Sequence, residues 1–288
     1  MKRSRFSLLV GLVAMLAVAG CGGSETPAET PVAPAATTTS AAPAPTAVSE
    51  AEPAPATERF DVDFVEAKMS YPLEKPPRVS VDVPGFDQVI APSLVDATRV
   101  VFKVEGMSGA PEGSYLQLVL DNRPFRPITD LSEKVKLSEL AGPDGLAPGE
   151  HILTALVNRP NHEFIRHDRG VAVRRFFVGK ATQPSWNSRK GPLLVLVSPY
   201  QTVVGDPLVD FLVHNAELGS RAYSVRASIT GPGINPEGRQ PVITEWKPWI
   251  LLSAREDAEY KLDLRLLDPS GEEVPYGAAS TTFRTKKP

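Results

Sequence analysis

Four side chains able to ligate metal or move protons fall in one stretch: His162, Glu163, His167 and Asp168. Imidazole and carboxylate are ordinary ligands of divalent metals. The two histidines stand five apart, which is not the H-E-x-x-H spacing that sets two rings on one helix face, so no metal site is expected. Phe164 and Arg166 lie among them, an aromatic anchor beside a cation. This mixture of charges suits a polar partner. The candidate binding residues are therefore His162, Glu163, Phe164 and Arg166. Trp249 joins them. Trp246 and Trp249 flank Lys247-Pro248, and an exposed indole can stack on a sugar ring. On a regular strand, residues three apart point to opposite faces, so one indole of the pair is expected in the core. His151 follows Pro148-Gly149 and is expected to satisfy a turn hydrogen bond. No serine sits in a G-x-S-x-G elbow. No phosphate loop or dinucleotide fingerprint is present. Neither a catalytic residue nor a cofactor is expected, and the chain is not read as an enzyme.

The elements that must position these residues are short and β-like. Arg78–Val83, Thr98–Val104 and Tyr115–Leu120 alternate with period two. Asp121-Asn122 can supply a tight turn between Leu120 and Arg123. Glu133–Leu137 reads as a weak strand, and Leu131–Leu140 is the best helical candidate, no more than one turn or a strand pair. His151–Val157 and Val171–Val178 are strands that bracket the Arg159–Gly170 loop. Hairpin loops typically need about 2–5 residues, so this one is long. Long loops on rigid sandwiches carry recognition, which makes this loop the expected binding surface.

Ala181–Gly191 reads as a polar joint. Beyond it come Leu193–Val197, a continuous apolar run, then Leu208–Val213, Tyr223–Ile229, Val242–Trp246, Trp249–Leu252, Tyr260–Leu267 and Ser280–Arg284. Many short strands with regular turn signals read as β-sandwiches. The expected fold is all-β: two immunoglobulin-like antiparallel sandwiches, over residues 59–181 and 190–288. No convincing internal repeat joins the two halves.

Composition narrows the partners. The 288-residue chain has a formal charge of -3. Setting aside the first 20 residues, with Lys2, Arg3 and Arg5, leaves -6. Setting aside the five glutamates between residues 21 and 58 leaves -1 for the remainder. A near-neutral body offers no broad basic surface for phosphates, so nucleic acid is not an expected partner. Cys21 is the single cysteine, so the body has no disulfide and no thiolate ligand.

The N-terminus explains that cysteine. A basic start is followed by an apolar run from Phe6 to Val18, too short for the roughly 20 residues of a membrane span. Val18-Ala19-Gly20-Cys21 closes it and resembles a lipobox, where bacterial signal peptides are cut and the new terminal cysteine is acylated. The resemblance implies a signal peptide over 1–20 and lipidation at Cys21. Its alternatives are a short membrane anchor or plain secretion. Gly22, where an aspartate would retain such proteins at the inner membrane, implies an outer-membrane destination in a Gram-negative envelope. Residues 21–58, rich in Pro, Ala and Thr, lack the apolar content to offset chain entropy and read as a disordered tether.

Two further resemblances concern the body. Gly149–Val157 with Arg175-Phe176-Phe177-Val178-Gly179 looks like the late strands of bacterial immunoglobulin-like domains. Arg159–Glu163, Phe176–Val178 and Leu208–Ala216 together resemble a family of uncharacterised exported bacterial proteins, which implies export and a β-rich fold but no activity. The expected function is a lipid-anchored envelope protein with a structural or binding role toward an envelope protein or polysaccharide. The alternative is a periplasmic chaperone or assembly factor whose two sandwiches form a cleft.

Overall fold

A computed structural model describes residues 60–124, 126–236 and 240–287. The expected signal peptide, Cys21 and the tether through residue 58 lie outside the described residues.

The first half runs β1 (Asp63–Glu66), β2 (Arg78–Val83), β3 (Gln88–Ile90), β4 (Val101–Glu105), β5 (Tyr115–Leu120), β6 (Arg123–Pro124), helix α1 (Leu137–Ala141), β7 (Gly149–Asn158) and β8 (Val171–Val178). The second half runs β9 (Leu193–Ser198), β10 (Gln201–Val204), β11 (Leu208–His214), β12 (Ser224–Thr230), β13 (Val242–Ile243), β14 (Trp249–Leu252), β15 (Glu259–Leu267) and β16 (Glu273–Lys286). The fold is all-β, two immunoglobulin-like sandwiches in series.

In the first sandwich a five-stranded sheet, ordered β3-β8-β7-β5-β6, faces the pair β2-β4. Alternation builds its core: Val79 and Val81 from β2 meet Leu116, Leu118 and Leu120 from β5 and Phe176 from β8. Helix α1 closes one end with Leu137 and Leu140. The weak strand expected over Glu133–Leu137 is reduced to a single bridge between Arg99 and Lys136, and the helix starts at Leu137.

In the second sandwich β10-β16-β15-β12-β13 faces β1-β14-β11-β9. Both five-stranded sheets are built alike. Each begins with a short strand lying parallel to the last strand of its sandwich, β3 on β8 and β10 on β16. The last two strands then pair antiparallel, β7 with β8 and β15 with β16. The architecture thus repeats where the sequence does not, because a sheet constrains alternation and turns rather than residue identity.

Strand β1 lies within the span assigned from sequence to the first sandwich, yet it pairs only with β14 of the second, Asp63 opposite Leu252 and Glu66 opposite Trp249. The chain enters through the second sandwich, crosses to build the first, and returns.

Ala181–Gly191 is exposed along most of its length, as a polar joint should be, but it carries Trp186, only 2% exposed. It belongs to a third apolar cluster formed by the outward faces of both sandwiches. Val119, Ile152, Leu156, Phe164 and Val173 come from the first, and Leu193, Val195, Val197 and Leu212 from the second. β5 and β9 are consequently buried on both faces. This explains why Leu193–Val197 reads as one unbroken apolar run. Each fully buried side chain of this kind contributes about 1.5–3 kcal/mol. Domains share loose, mobile contacts unless the interface is large and apolar. This one is apolar throughout its middle, and the two sandwiches form one compact unit.

Gly191 shows how tightly the joint is wound. A Cβ there would fall 2.7 Å from the Asn187 carbonyl and 2.9 Å from the Trp186 ring. The Trp186 indole donates to the Gly191 carbonyl at 3.1 Å.

Candidate functional site

The Arg159–Gly170 loop begins where β7 ends at Asn158. His162 turns the chain with φ 67°, and its amide donates to the Arg159 carbonyl at 3.0 Å. The strand then resumes pairing out of register. Phe164 bridges to Asn158, and the Ile165 amide donates to the Val157 carbonyl at 2.9 Å. From here alternation decides direction. Ile165 enters the first core and Phe164 enters the apolar seam between the sandwiches.

The expectation of a solvated recognition loop is corrected in its centre. Phe164 is 1% exposed and Glu163 is 3% exposed. Glu163 accepts from the Ser70 amide at 3.0 Å and from the Ser70 hydroxyl. Arg166 pairs with Asp210 of the second sandwich, and the Phe164 amide donates to the other Asp210 oxygen at 2.8 Å. The Arg166 guanidinium lies 5.1 Å over the Trp246 ring, with Phe164 5.7 Å from the same ring. These residues fasten one sandwich to the other. Charged composition reads as solvated in sequence, but here the charges find partners across the seam.

Asp210 is the residue the sequence reading missed. It is fully buried on β11 and also accepts from the Phe211 amide at 2.8 Å. Burial pushes its carboxyl up to about 6, while Arg166 and the two amides pull it back. It remains ionised at neutral pH and paired. The available signal was a single charge inside the apolar run Leu208–Val213.

Three expected candidates end elsewhere. His167 and Asp168 are exposed, and the His167 ring accepts only from the Arg169 amide at 3.2 Å. Among the described residues no group of three or more His, Cys, Asp and Glu is placed to hold a metal. Trp249 is half-buried against Phe64, ring centroids 5.0 Å apart, with its indole nitrogen buried and unpaired. Trp246 is half-buried too, its indole donating to the Phe211 carbonyl. Neither ring is a free stacking platform. The turn between them leaves strand geometry, so the opposite-faces expectation does not apply.

His151 behaves as a turn residue. Its ring contacts Asp121 at 2.7 Å and the Ala147 carbonyl at 2.8 Å. Burial lowers its pKa, but the Asp121 carboxylate and the carbonyl outweigh that and raise it overall.

Of the residues proposed for binding, His162 stands at an open groove. It is exposed, and Nδ1 lies 2.7 Å from the Tyr115 hydroxyl. A cavity of about 230 Å³ opens there between the sandwiches, lined by Tyr115, Gln117, His162, Ser198, Tyr200 and Thr202 among others. Behind it Asn158 donates to Gln117 and to the Tyr115 hydroxyl at 3.3 Å. The Asn158 side-chain oxygen has no partner. Hydroxyl and amide groups beside aromatic rings, with the Arg126 guanidinium paired to Glu133 at the edge, form a lining suited to a polar ligand.

No protein-family model matches the chain, and no curated protein matches it. Among solved structures it resembles the titin domains Z1Z2 in complex with telethonin, at 10% identity over 73% of this chain and 96% of that one, with a TM-score of 0.21. It also resembles a chimeric titin Z1Z2-Z1Z2 tandem, at 11% identity over 74% of this chain and 100% of that one, TM-score 0.21. A third is neural ectodermal development factor IMP-L2, at 12% identity over 73% and 95% of the two chains, TM-score 0.23. Overlaps this shallow identify no relative, and the two-sandwich architecture stands on the strand pairing itself.

Proposed function

We propose that this chain is a lipid-anchored cell-envelope protein whose two sandwiches form one rigid, non-catalytic binding head. The lipobox-like Val18-Ala19-Gly20-Cys21 supports the anchor. Several acyl chains together hold a protein at a membrane where one alone gives marginal binding. The observation that carries the binding role is the groove at His162, lined by hydroxyl and amide groups with Arg126 at its edge and framed by both sandwiches. Its lining favours an envelope polysaccharide over a charged protein surface. The chaperone alternative needs a cleft running between the sandwiches; apolar side chains pack the middle of that space and leave recesses only toward its ends, which supports the binding reading instead.

Two measurements test this reading. Cys21→Ala should move the protein from the membrane to the soluble fraction; an unchanged membrane fraction refutes the anchor. His162→Asn keeps a residue tolerant of the left-handed backbone and removes the ring. It should cut co-sedimentation with isolated envelope polysaccharide by about tenfold, the worth of ~1.4 kcal/mol. Equal co-sedimentation of both proteins refutes the groove.

A further inference from the structure

At the end of the seam away from Asp210 the two sandwiches part around a second recess, of about 330 Å³. Its floor is apolar and buried: Val119 and Ile152 from the first sandwich, Leu193 and Val195 from the second. Thr154 also lines it, 1% exposed. The rim is acidic. Asp121 and Glu150 both line the recess, and among the described residues no cationic side chain does.

Those carboxylates are only partly satisfied from within. Asp121 accepts from the Ile152 amide at 2.9 Å and contacts the His151 ring at 2.7 Å. Glu150 accepts from the Ser185 amide at 2.6 Å, the Ser185 hydroxyl at 2.7 Å and the Trp186 amide at 3.0 Å. All three of its donors are neutral. An ionised carboxylate offers about four lone-pair sites, so both residues keep acceptor capacity. Tyr276, whose hydroxyl lies 2.5 Å from the Ser185 hydroxyl, completes the rim beside exposed Ala278.

We propose that this recess binds a primary amine carried on a short apolar body. The ammonium group offers three donors and a positive charge to a rim that holds acceptors and negative charge. The apolar body lies against the apolar floor, and the volume lies at the small end for ligand sites. The site is independent of acylation at Cys21 and of the groove at His162.

The test is calorimetric titration of the full-length chain in a neutral detergent, with detergent alone as blank. The probes are benzylamine, benzyl alcohol and benzoate at neutral pH. Benzylamine should bind at least tenfold more tightly than benzyl alcohol, and benzoate should not bind. Ala278→Lys places a cation at the mouth on an exposed position and should abolish benzylamine binding with Tm unchanged. Ala278→Glu should retain it. Equal binding of amine and alcohol would show an unselective apolar crevice and overturn the proposal. So would the absence of amine binding, or binding that survives Ala278→Lys. Loss of polysaccharide co-sedimentation alone would leave it standing.

Discussion

The two ends of the seam fasten the same pair of sandwiches by different chemistry. At one end Glu163, Arg166 and Asp210 make a buried ionic clamp. At the other the β5–β6 turn docks a neutral amide. Asn122 donates to the Leu194 carbonyl at 3.0 Å and the Ala278 carbonyl at 3.1 Å, and accepts from the Leu196 amide at 3.3 Å. Asp121 and Asn122 have φ 51° and 57°, the pair of left-handed residues a type I′ turn requires. A buried ion pair recovers its desolvation cost only while both partners are present. A neutral amide keeps its bonds at any ordinary pH. The seam thus has one end fastened by a buried ion pair and one where a neutral amide makes the crossing bonds.

The sharpest way to break this contrast is to orphan a charge. Asp210→Ala leaves Arg166 with only the Glu163 carboxylate at 3.7 Å and the Phe164 amide without its acceptor, and should cost about 3–5 kcal/mol. At the size of this head that lowers Tm by roughly 10 °C, read by scanning calorimetry. Phe164→Ala belongs in the same range, since it removes a fully buried ring from the seam. A change of less than about 1 kcal/mol for either would mean the clamp end is solvated after all.

Asn122→Ala should cost less, about 2 kcal/mol, because its bonds are neutral and partly open to water. Part of that loss is the strain of alanine at positive φ. Asn122→Gly removes the strain but not the lost bonds, so the gap between the two variants separates backbone from docking. If Asn122→Ala proves as damaging as Asp210→Ala, the two ends are not different in kind.

The pH profile sharpens the comparison further. Asp210 holds its proton up to about 6 in the folded chain, against 3.8 as its ordinary value. Between those values the folded state binds more protons than the unfolded one. The stability this provides is fully present below 3.8 and is lost as pH rises through about 6. The loss is on the order of 2–3 kcal/mol. His151, raised by Asp121, acts in the same direction above its ordinary 6.5. His162 and His214, lowered by desolvation of their rings, act in the opposite direction as pH falls below 6.5. Subtracting the profile of Asp210→Asn isolates the clamp. The difference in unfolding free energy should decline from pH 4 to pH 6.5, while Asn122→Ala should run parallel to the natural protein.

These two ends were not equally legible in the sequence. Asp121-Asn122 announces a turn by local chemistry, and the turn is where it was expected. Arg78–Val83 and Tyr260–Leu267 are equally plain, because period-two alternation is a local consequence of one buried face. The clamp is invisible locally. Arg166 and Asp210 are 44 residues apart, and a loop with five charges reads as solvated until its partners are known. Trp186 was read into a polar joint for the same reason: its burial is decided by the facing sheets, not by its neighbours in the chain. β1, β3 and β10 escaped because three or four residues are too few to show a period, and two of the three pair in parallel with distant strands.

Trp249 gives the smallest expected effect and a test of a different part of the comparison. From sequence it was a binding residue; in the structure its ring packs on Phe64 and its indole N–H is buried without an acceptor. An unpaired buried donor costs about 1–3 kcal/mol, which a phenyl ring does not incur. Against that, Trp249→Phe removes some packed area, worth about 25 cal/mol per Å² of apolar surface. The two effects oppose each other and are of similar size. Trp249→Phe should therefore change stability by less than about 1 kcal/mol, in contrast to Trp249→Ala, which opens a cavity at about 3 kcal/mol or more. Polysaccharide co-sedimentation should be the same for Trp249→Phe and the natural protein, because the ring lies outside the groove at His162. Lost co-sedimentation at unchanged Tm would return Trp249 to the binding surface.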